Sequence, residues 1–346
     1  MSNLIGLVGI VAILAIAFAF SSNRSAINLR IVAAAFAVQV FIAVIVLYTN
    51  IGTIAIDKMS TGVQAIIDYS QAGIEMVFGP LADVNTIGFS FAVKVLPVII
   101  FFSALMSVLY HLRVMEGIVK VVGGFLHRVI GTGAVESMNA AANIFVGQTE
   151  APLVVRPYLK GLTEPQMFAV MVSGLASIAG TVLAAYSMMG AEMRYLLAAA
   201  FMAAPGGLLM AKIIMPDDQV VSSKEKDKFV MERSEHKNLI LAAASGTTDG
   251  LRLAANIGAM LVAFVALIAL FNGMVGWVAG WFGYVLTLQM ILGWLFSPLM
   301  YLLSIPWAEA QAAGALFGEK VILNEFVAFS HLGDILGDAS PRTYAV

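Results

Sequence analysis

The sequence predicts an all-α membrane protein, a multi-span chain with two re-entrant hairpins and one interfacial amphipathic helix. Three observations carry this: a composition poor in charge, apolar runs of bilayer length, and two long apolar segments interrupted by Gly, Pro and carboxylates. Hydrophobic residues make up 60% of the 346 and charged residues 12%, with a mean hydropathy of +0.93. Soluble domains carry about 25% charged residues, so water is not the only solvent this chain meets.

The runs Leu4–Phe20, Ile31–Tyr48, Gly88–Tyr110, Gln166–Met189, Tyr195–Met215 and Leu251–Phe271 hold few or no charges. About 20 helical residues cross the hydrocarbon core, so each is a candidate span. Leu4–Phe20 is short enough for a signal peptide, but no Lys or Arg precedes it and a basic loop follows, so it reads as the first span. Arg24 and Arg30 follow span one, and Arg113, Lys120 and Arg128 follow span three. Lys224, Lys226, Lys228, Arg233 and Lys237 lie in Pro216–Asn238. Cytoplasmic loops collect Lys and Arg, which places these loops inside and the N-terminus outside. The segment after span two, with Asp57, Asp68, Glu75 and Asp83 against Lys58, reads as a solvated acidic loop.

Val114–Val129 alternates apolar and basic residues, as a helix lying in the cytoplasmic interface does. Gly131–Tyr158 is apolar but broken by Glu136, Asn143, Gly147–Glu150, Pro152, Arg156 and Pro157. Gln289–Ser330 is similar, with Pro298, Pro306, Glu309, Glu319, Asn324 and Glu325 and glycines at 293, 314 and 318. Irregular backbone at membrane depth is tolerated only inside protein or beside a water-filled cavity. Paired broken segments in corresponding halves point to a transporter's midplane site. Two clean spans follow the first broken segment and nothing follows the second. By that symmetry the chain is expected to lack at least one span, and two by the count of the first half.

The densest polar cluster is Gln148, Thr149 and Glu150, an amide, a hydroxyl and a carboxylate beside Gly147. An acidic residue at a helix centre costs about 2.5–3.5 kcal/mol on insertion scales. The cluster therefore reads as a substrate-binding tip, the alternative being an interfacial loop in which Glu150 pairs with Arg156. Glu325 stands between Val321–Leu323 and Phe326–Phe329 without a charged neighbour and is the second candidate; a helix-end carboxylate in the headgroups is its alternative. Ser173 and Ser177 share a helix face with Gly174 and Gly180 nearby, a pattern of helix packing. Lys94 snorkels or pairs internally. A chain without cysteine makes no disulfide or thiolate metal site, and His111, His127, His236 and His331 show no ligand spacing. No basic stripe suggests nucleic acid, and no paired nucleophile and base suggests an enzyme.

The segments NIFVGQTEAPLVVRP (Asn143–Pro157), SGLASIAG (Ser173–Gly180), FMAAPGG (Phe201–Gly207) and NEFVAF (Asn324–Phe329) resemble the concentrative nucleoside transporter family, bacterial branch. The resemblance covers essentially the whole chain. It implies a homotrimer in the cell inner membrane that moves nucleosides inward with sodium or protons, by an elevator-like motion of a hairpin domain. Residues 1–130 would be the scaffold and oligomerisation part, and 131–346 the transport domain, C-terminally incomplete. By position, Gln148, Thr149 and Glu150 resemble residues that bond the nucleobase, Glu325 the second-hairpin carboxylate that takes the ribose hydroxyls, and Val182 and Leu253 apolar walls of the base pocket. Asn143, Val146, Ser177 and Ile178 resemble sodium ligands, some through backbone carbonyls. Proton-coupled relatives depart at the Asn143 position, which favours sodium as the co-transported ion, with no organic cofactor. A uridine-like nucleoside is the expected cargo, and an ion channel or pore is the competing class.

Overall fold

A computed structural model describes residues 2–148, 151–217, 236–337 and 339–346. Among these every regular element is helical. In chain order they are α1 (Ser2–Ala19), α2 (Leu29–Tyr48), α3 (Asn50–Phe78), α4 (Val84–Ile87), α5 (Phe91–Lys94), α6 (Leu96–His111), α7 (Val114–Ile130), α8 (Ala134–Asn143), α9 (Ala151–Val154), α10 (Glu164–Leu175), α11 (Gly180–Met188), α12 (Met193–Ile214), α13 (Leu239–Gly280), α14 (Leu288–Leu302), α15 (Trp307–Ile322), α16 (Glu325–Ser330), α17 (Leu332–Leu336) and α18 (Pro341–Ala345). The basic residues Lys224, Lys226, Lys228 and Arg233, and the candidate site residues Thr149 and Glu150, lie outside the described residues.

Helices α2, α12 and α13, and the runs Phe91–His111 and Glu164–Met188, are long and apolar enough to cross a bilayer. Five of the expected spans therefore have helices of suitable length, and α1 is apolar but shorter. Three details differ from the sequence reading. The run Gln166–Met189 is not a clean span, because helix stops at Leu175 and resumes at Gly180. The 42-residue α13 extends well beyond Leu251–Phe271 at both ends. At 1.5 Å per residue it is roughly 63 Å long. The expected acidic loop is a 29-residue helix, α3.

The chain forms two compact units. The larger comprises residues 17–185 and 192–252, the smaller residues 1–16, 186–191 and 253–346. In the larger unit α8 is the central element, packed by α7, α10 and α12, and α12 in turn packs on α2 and α3. Every residue from Glu136 to Asn143 is buried, so this helix meets protein on all sides. Helix α3 follows the same logic from outside. Gly52, Ile56, Ile67, Ser70 and Ile74 recur at helical spacing on its buried face, while Asp57, Asp68 and Glu75 are exposed. Its charges are solvated as expected, but a helix backbone carries them, started by Thr49 Oγ1 accepting from Gly52 N at 3.1 Å. Lys94 does pair internally, donating to Gln71 Oε1 of α3 at 3.2 Å.

Helix α7 buries Met115, Val119, Gly123, Leu126 and Ile130, a stripe of three- and four-residue steps, and keeps the Glu116–Lys120 pair on its outer side. This is the amphipathic helix expected at Val114–Val129. In FMAAPGG the small residues serve packing: a Cβ on Gly207 would stand 3.0 Å from Ser173 Cα. Helices in lipid gain no hydrophobic drive from each other and rely on such close approach.

In the smaller unit α14 and α15 are two arms bent by 117° around Leu303–Pro306, with Ser304 at φ +72. Gly293, Gly314 and Gly318 were expected as interruptions. They are instead the seam along which the arms touch: a Cβ on Gly314 would lie 2.9 Å from Gly293 O, and one on Gly318 2.6 Å from Leu292 Cβ. Met300, Ile305, Ala310 and Ala313 fill the core beneath the bend. A second break follows at Leu323–Asn324, so Glu325 opens α16 and does not sit in the bend itself. Ser340 donates its N–H and hydroxyl to Glu309 Oε2 at 3.2 and 2.8 Å, tying the last residues to the first turn of α15.

Candidate functional site

Two interrupted helices meet inside the larger unit. The chain leaves α8 after Asn143 and makes turns through residues 144–148, and it leaves α10 after Leu175 and unwinds through 176–179. These breaks are in backbone contact. A Cβ on Gly180 would fall 2.2 Å from Phe145 O, and one on Gly174 would fall 2.9 Å from Gln148 Cβ and 3.6 Å from Asn143 Oδ1. Glycine at both positions is thus a condition of the approach.

A polar knot lies behind the contact. Asn143 Nδ2 donates to Asn139 O at 3.0 Å and to Ser173 Oγ at 3.4 Å, and Asn139 Nδ2 donates to Ser173 Oγ at 2.8 Å and Val170 O at 3.0 Å. Ser173 Oγ donates to Val170 O at 3.0 Å. All three side chains are fully buried. Both amide nitrogens are therefore satisfied, yet Asn139 Oδ1 and Asn143 Oδ1 have no partner among the described residues. A buried acceptor without a donor costs about 1–3 kcal/mol, and here there are two, one helical turn apart.

The sodium candidates sit around this point. Val146 is buried in the first break, and Ser177 and Ile178 are half-buried in the second, with Ser177 Oγ donating to Gly174 O at 3.2 Å. Carbonyls in unwound stretches are released from the helical ladder, and a hard cation takes oxygen ligands, backbone and amide carbonyls included. An orphaned Asn143 Oδ1 beside two breaks therefore fits a cation as cargo. Sequence reasoning placed Ser173 in helix packing and passed over Asn139. The four-residue Asn139–Asn143 spacing in an otherwise apolar helix was the available signal.

Among the substrate candidates, Gln148 is exposed at the first break, Val182 is buried in α11, and Leu253 is half-buried in α13. Glu325, in the smaller unit, is exposed on the first turn of α16. There Asn324 Oδ1 caps Val327 N at 3.0 Å, and Asn324 Nδ2 is buried with no partner among the described residues.

Two buried charge clusters escaped the sequence reading. In the larger unit Lys212 Nζ lies 2.9 Å from Glu136 Oε2 and 2.8 Å from Asp217 Oδ2, with Lys212 and Glu136 nearly or fully enclosed. In the smaller unit Glu319 is fully buried. It accepts from Gln289 Nε2 at 2.8 Å and meets His331 Nδ1 at 3.0 Å. Asn272 Nδ2 donates onward to Gln289 Oε1 at 3.1 Å. The partners are separated by 76 and 12 residues, so no local pattern announces them.

Membrane-length helices, with breaks that pack on buried amides, define a multi-pass transporter of the inner membrane. The comparisons with known proteins agree. Residues 8–81 match the family model described as Na+ dependent nucleoside transporter N-terminus, residues 195–346 match its C-terminus, and residues 92–193 match a model described as Gate, nucleoside recognition. The chain is similar to the "Uncharacterized transporter YutK" of Bacillus subtilis, 47% identical over 100% of this chain and 86% of that protein. It is also similar to the nucleoside permease NupC of Helicobacter pylori, 46% identical over 98% and 82%. The solved structure of CNTnw in an inward-facing substrate-bound state matches with a TM-score of 0.92 and 48% identity, over 100% of this chain and 84% of that one. This chain belongs to the Na+-dependent, concentrative nucleoside transporter family.

Proposed function

We propose that the protein takes up nucleosides across the cytoplasmic membrane together with sodium. The observation that carries the sodium assignment is the buried Asn143 Oδ1, without a partner among the described residues, at two contacting helix breaks. In this reading Asn143 and Ser177 hold the ion by side-chain oxygens, and Val146 and Ile178 by backbone carbonyls. The nucleoside is neutral and rich in donors and acceptors, so a dry site must replace its lost water with polar groups. Gln148, Thr149 and Glu150 engage the base, Val182 and Leu253 flank it, and Glu325 accepts from the ribose hydroxyls. The cargo is uridine-like, residues 1–130 form the scaffold of a homotrimer, and residues 131–346 belong to the part that moves.

The energetics suffice. One positive charge crossing 100 mV releases about 2.3 kcal/mol. At about 1.4 kcal/mol per decade this supports roughly fifty-fold accumulation, before any sodium gradient is added.

The test is uridine uptake by the complete reading frame in cells without other nucleoside carriers, with sodium replaced by choline in parallel. The expected result is concentrative uptake that choline abolishes. Uptake that survives choline and collapses with a protonophore would assign protons as the coupling ion. Uptake that only equilibrates would favour a pore. Asn143→Ala is expected to raise the sodium concentration for half-maximal uptake by about tenfold or more, the loss of one charge-assisted ligand. An unchanged sodium dependence would refute the ion site.

A further inference from the structure

Tyr186, on α11, carries no role in the reading above. Its side chain is fully buried, with the ring stacked on Phe329 at 4.2 Å and 17° and tilted against Phe326 at 4.9 Å. Both phenylalanines belong to α16, the helix that Glu325 opens. The ring is thus clamped by the residues one and four positions after the carboxylate. The hydroxyl is the anomaly. Tyr186 Oη is buried and forms no hydrogen bond of full geometry among the described residues, although the Glu325 carboxylate lies within reach of it. A phenylalanine would make the same ring contacts without burying an unpaired hydroxyl, so packing alone does not account for the oxygen.

The neighbouring geometry suggests what the oxygen is for. Glu325 is exposed, on a long side chain with three rotors, and its nearest polar neighbour on this side is the Tyr186 hydroxyl. A carboxylate that must meet two ribose hydroxyls gains from being held in one rotamer, since a floppy acceptor loses side-chain freedom on binding. A phenol donates one hydrogen bond and occupies one of about four acceptor positions of a carboxylate. The others remain for ligand. Tyr186 also lies one helical turn after Val182, a candidate wall of the base pocket, on the same face of α11.

We propose that Tyr186 is a positioning residue for Glu325: its Oη–H donates to the Glu325 carboxylate when a nucleoside binds, orienting that carboxylate toward the ribose hydroxyls and raising selectivity for substrates that carry them. The proposal rests on the assignment of Glu325 to the ribose. No bond is made or broken.

The experiment is equilibrium binding of uridine and of 2′,3′-dideoxyuridine to the purified complete protein, for wild type, Tyr186→Phe, Glu325→Gln and the double variant. Tyr186→Phe keeps the stacked ring and removes only the oxygen, and its thermal midpoint is read alongside. The expected result is about a tenfold weaker Kd for uridine in Tyr186→Phe, the size of one hydrogen bond to a charged group. Affinity for the dideoxy analogue should change less than about twofold, and the Tyr186→Phe effect should vanish in the Glu325→Gln background. An equal loss for both ligands would mean a merely structural tyrosine and would overturn the proposal. So would an unchanged uridine Kd in Tyr186→Phe beside a weakened Glu325→Gln, which leaves the ribose assignment standing. A Glu325→Gln protein with the wild-type preference for uridine over its dideoxy analogue would overturn that assignment, and this proposal with it.

Discussion

The two units interrupt their helices in different chemical ways. In the larger unit the breaks after α8 and α10 are backed by amides and a hydroxyl, uncharged groups whose nitrogens are all used and whose Asn139 and Asn143 oxygens are left over. In the smaller unit the elements around the bend enclose a carboxylate, Glu319, already engaged by Gln289 and His331. A second carboxylate, Glu325, stays exposed one break later. The contrast separates groups that hold the fold from groups that the proposed function assigns to cargo. Among the described residues buried charge in either unit is paired, as at Lys212–Glu136 and Glu319–His331, because an unpaired ion would cost several kcal/mol. Among the described residues the groups left without a partner at the two sites are neutral amide and hydroxyl groups or the exposed Glu325 carboxylate, for which leaving a partner out is less costly than for a buried ion.

Three substitutions would break or sharpen this separation. The largest effect is expected for Lys212→Ala, which strands Glu136 in the interior. Removing one partner of a buried pair costs about 3–5 kcal/mol, so the thermal midpoint of the purified complete protein should fall steeply and folded yield with it. A midpoint within about 2 °C of wild type would mean that water reaches the pair and that it is not structural. His331→Ala should cost less, about 1–3 kcal/mol, because Gln289 still donates to Glu319 at 2.8 Å. A loss as large as that of Lys212→Ala would show that the histidine is the essential counter-charge and would narrow the contrast between units. The smallest stability effect is expected for Glu325→Gln, within about 0.5 kcal/mol because the side chain is exposed, while nucleoside affinity should fall. A destabilised Glu325→Gln protein would move this residue into the group that holds the fold.

The limits of sequence reading are visible in particular elements. The apolar runs located most of the spans because their signal is additive over about 20 residues. Helix α3 reads as a loop from the sequence because four charges hide its buried stripe from any test based on continuous hydrophobicity. The stripe at Gly52, Ile56, Ile67, Ser70 and Ile74 is legible once period, not mean polarity, is asked about. The glycines at 293, 314 and 318 were correctly singled out and wrongly explained. A glycine marks either a bend or a close approach, and local sequence does not distinguish the two. Ser177 and Ile178 fall within a run that reads as one regular span, whereas the structure unwinds residues 176–179 just before Gly180 packs against Phe145.

By itself the sequence determined the solvent, the membrane-length helices, the two irregular segments, and through its motifs the family and the candidate residues Asn143, Gln148 and Glu325. These are local or additive properties, written in runs and short patterns. Only the tertiary structure decided which polar groups satisfy one another. Asn139, Asn143 and Ser173 form one knot; Glu136 finds Lys212, 76 residues away; the Tyr186 hydroxyl is buried within reach of Glu325. Hydrogen bonding and desolvation act over a few ångströms whatever the separation along the chain, so the pairing of polar groups is a property of the folded arrangement.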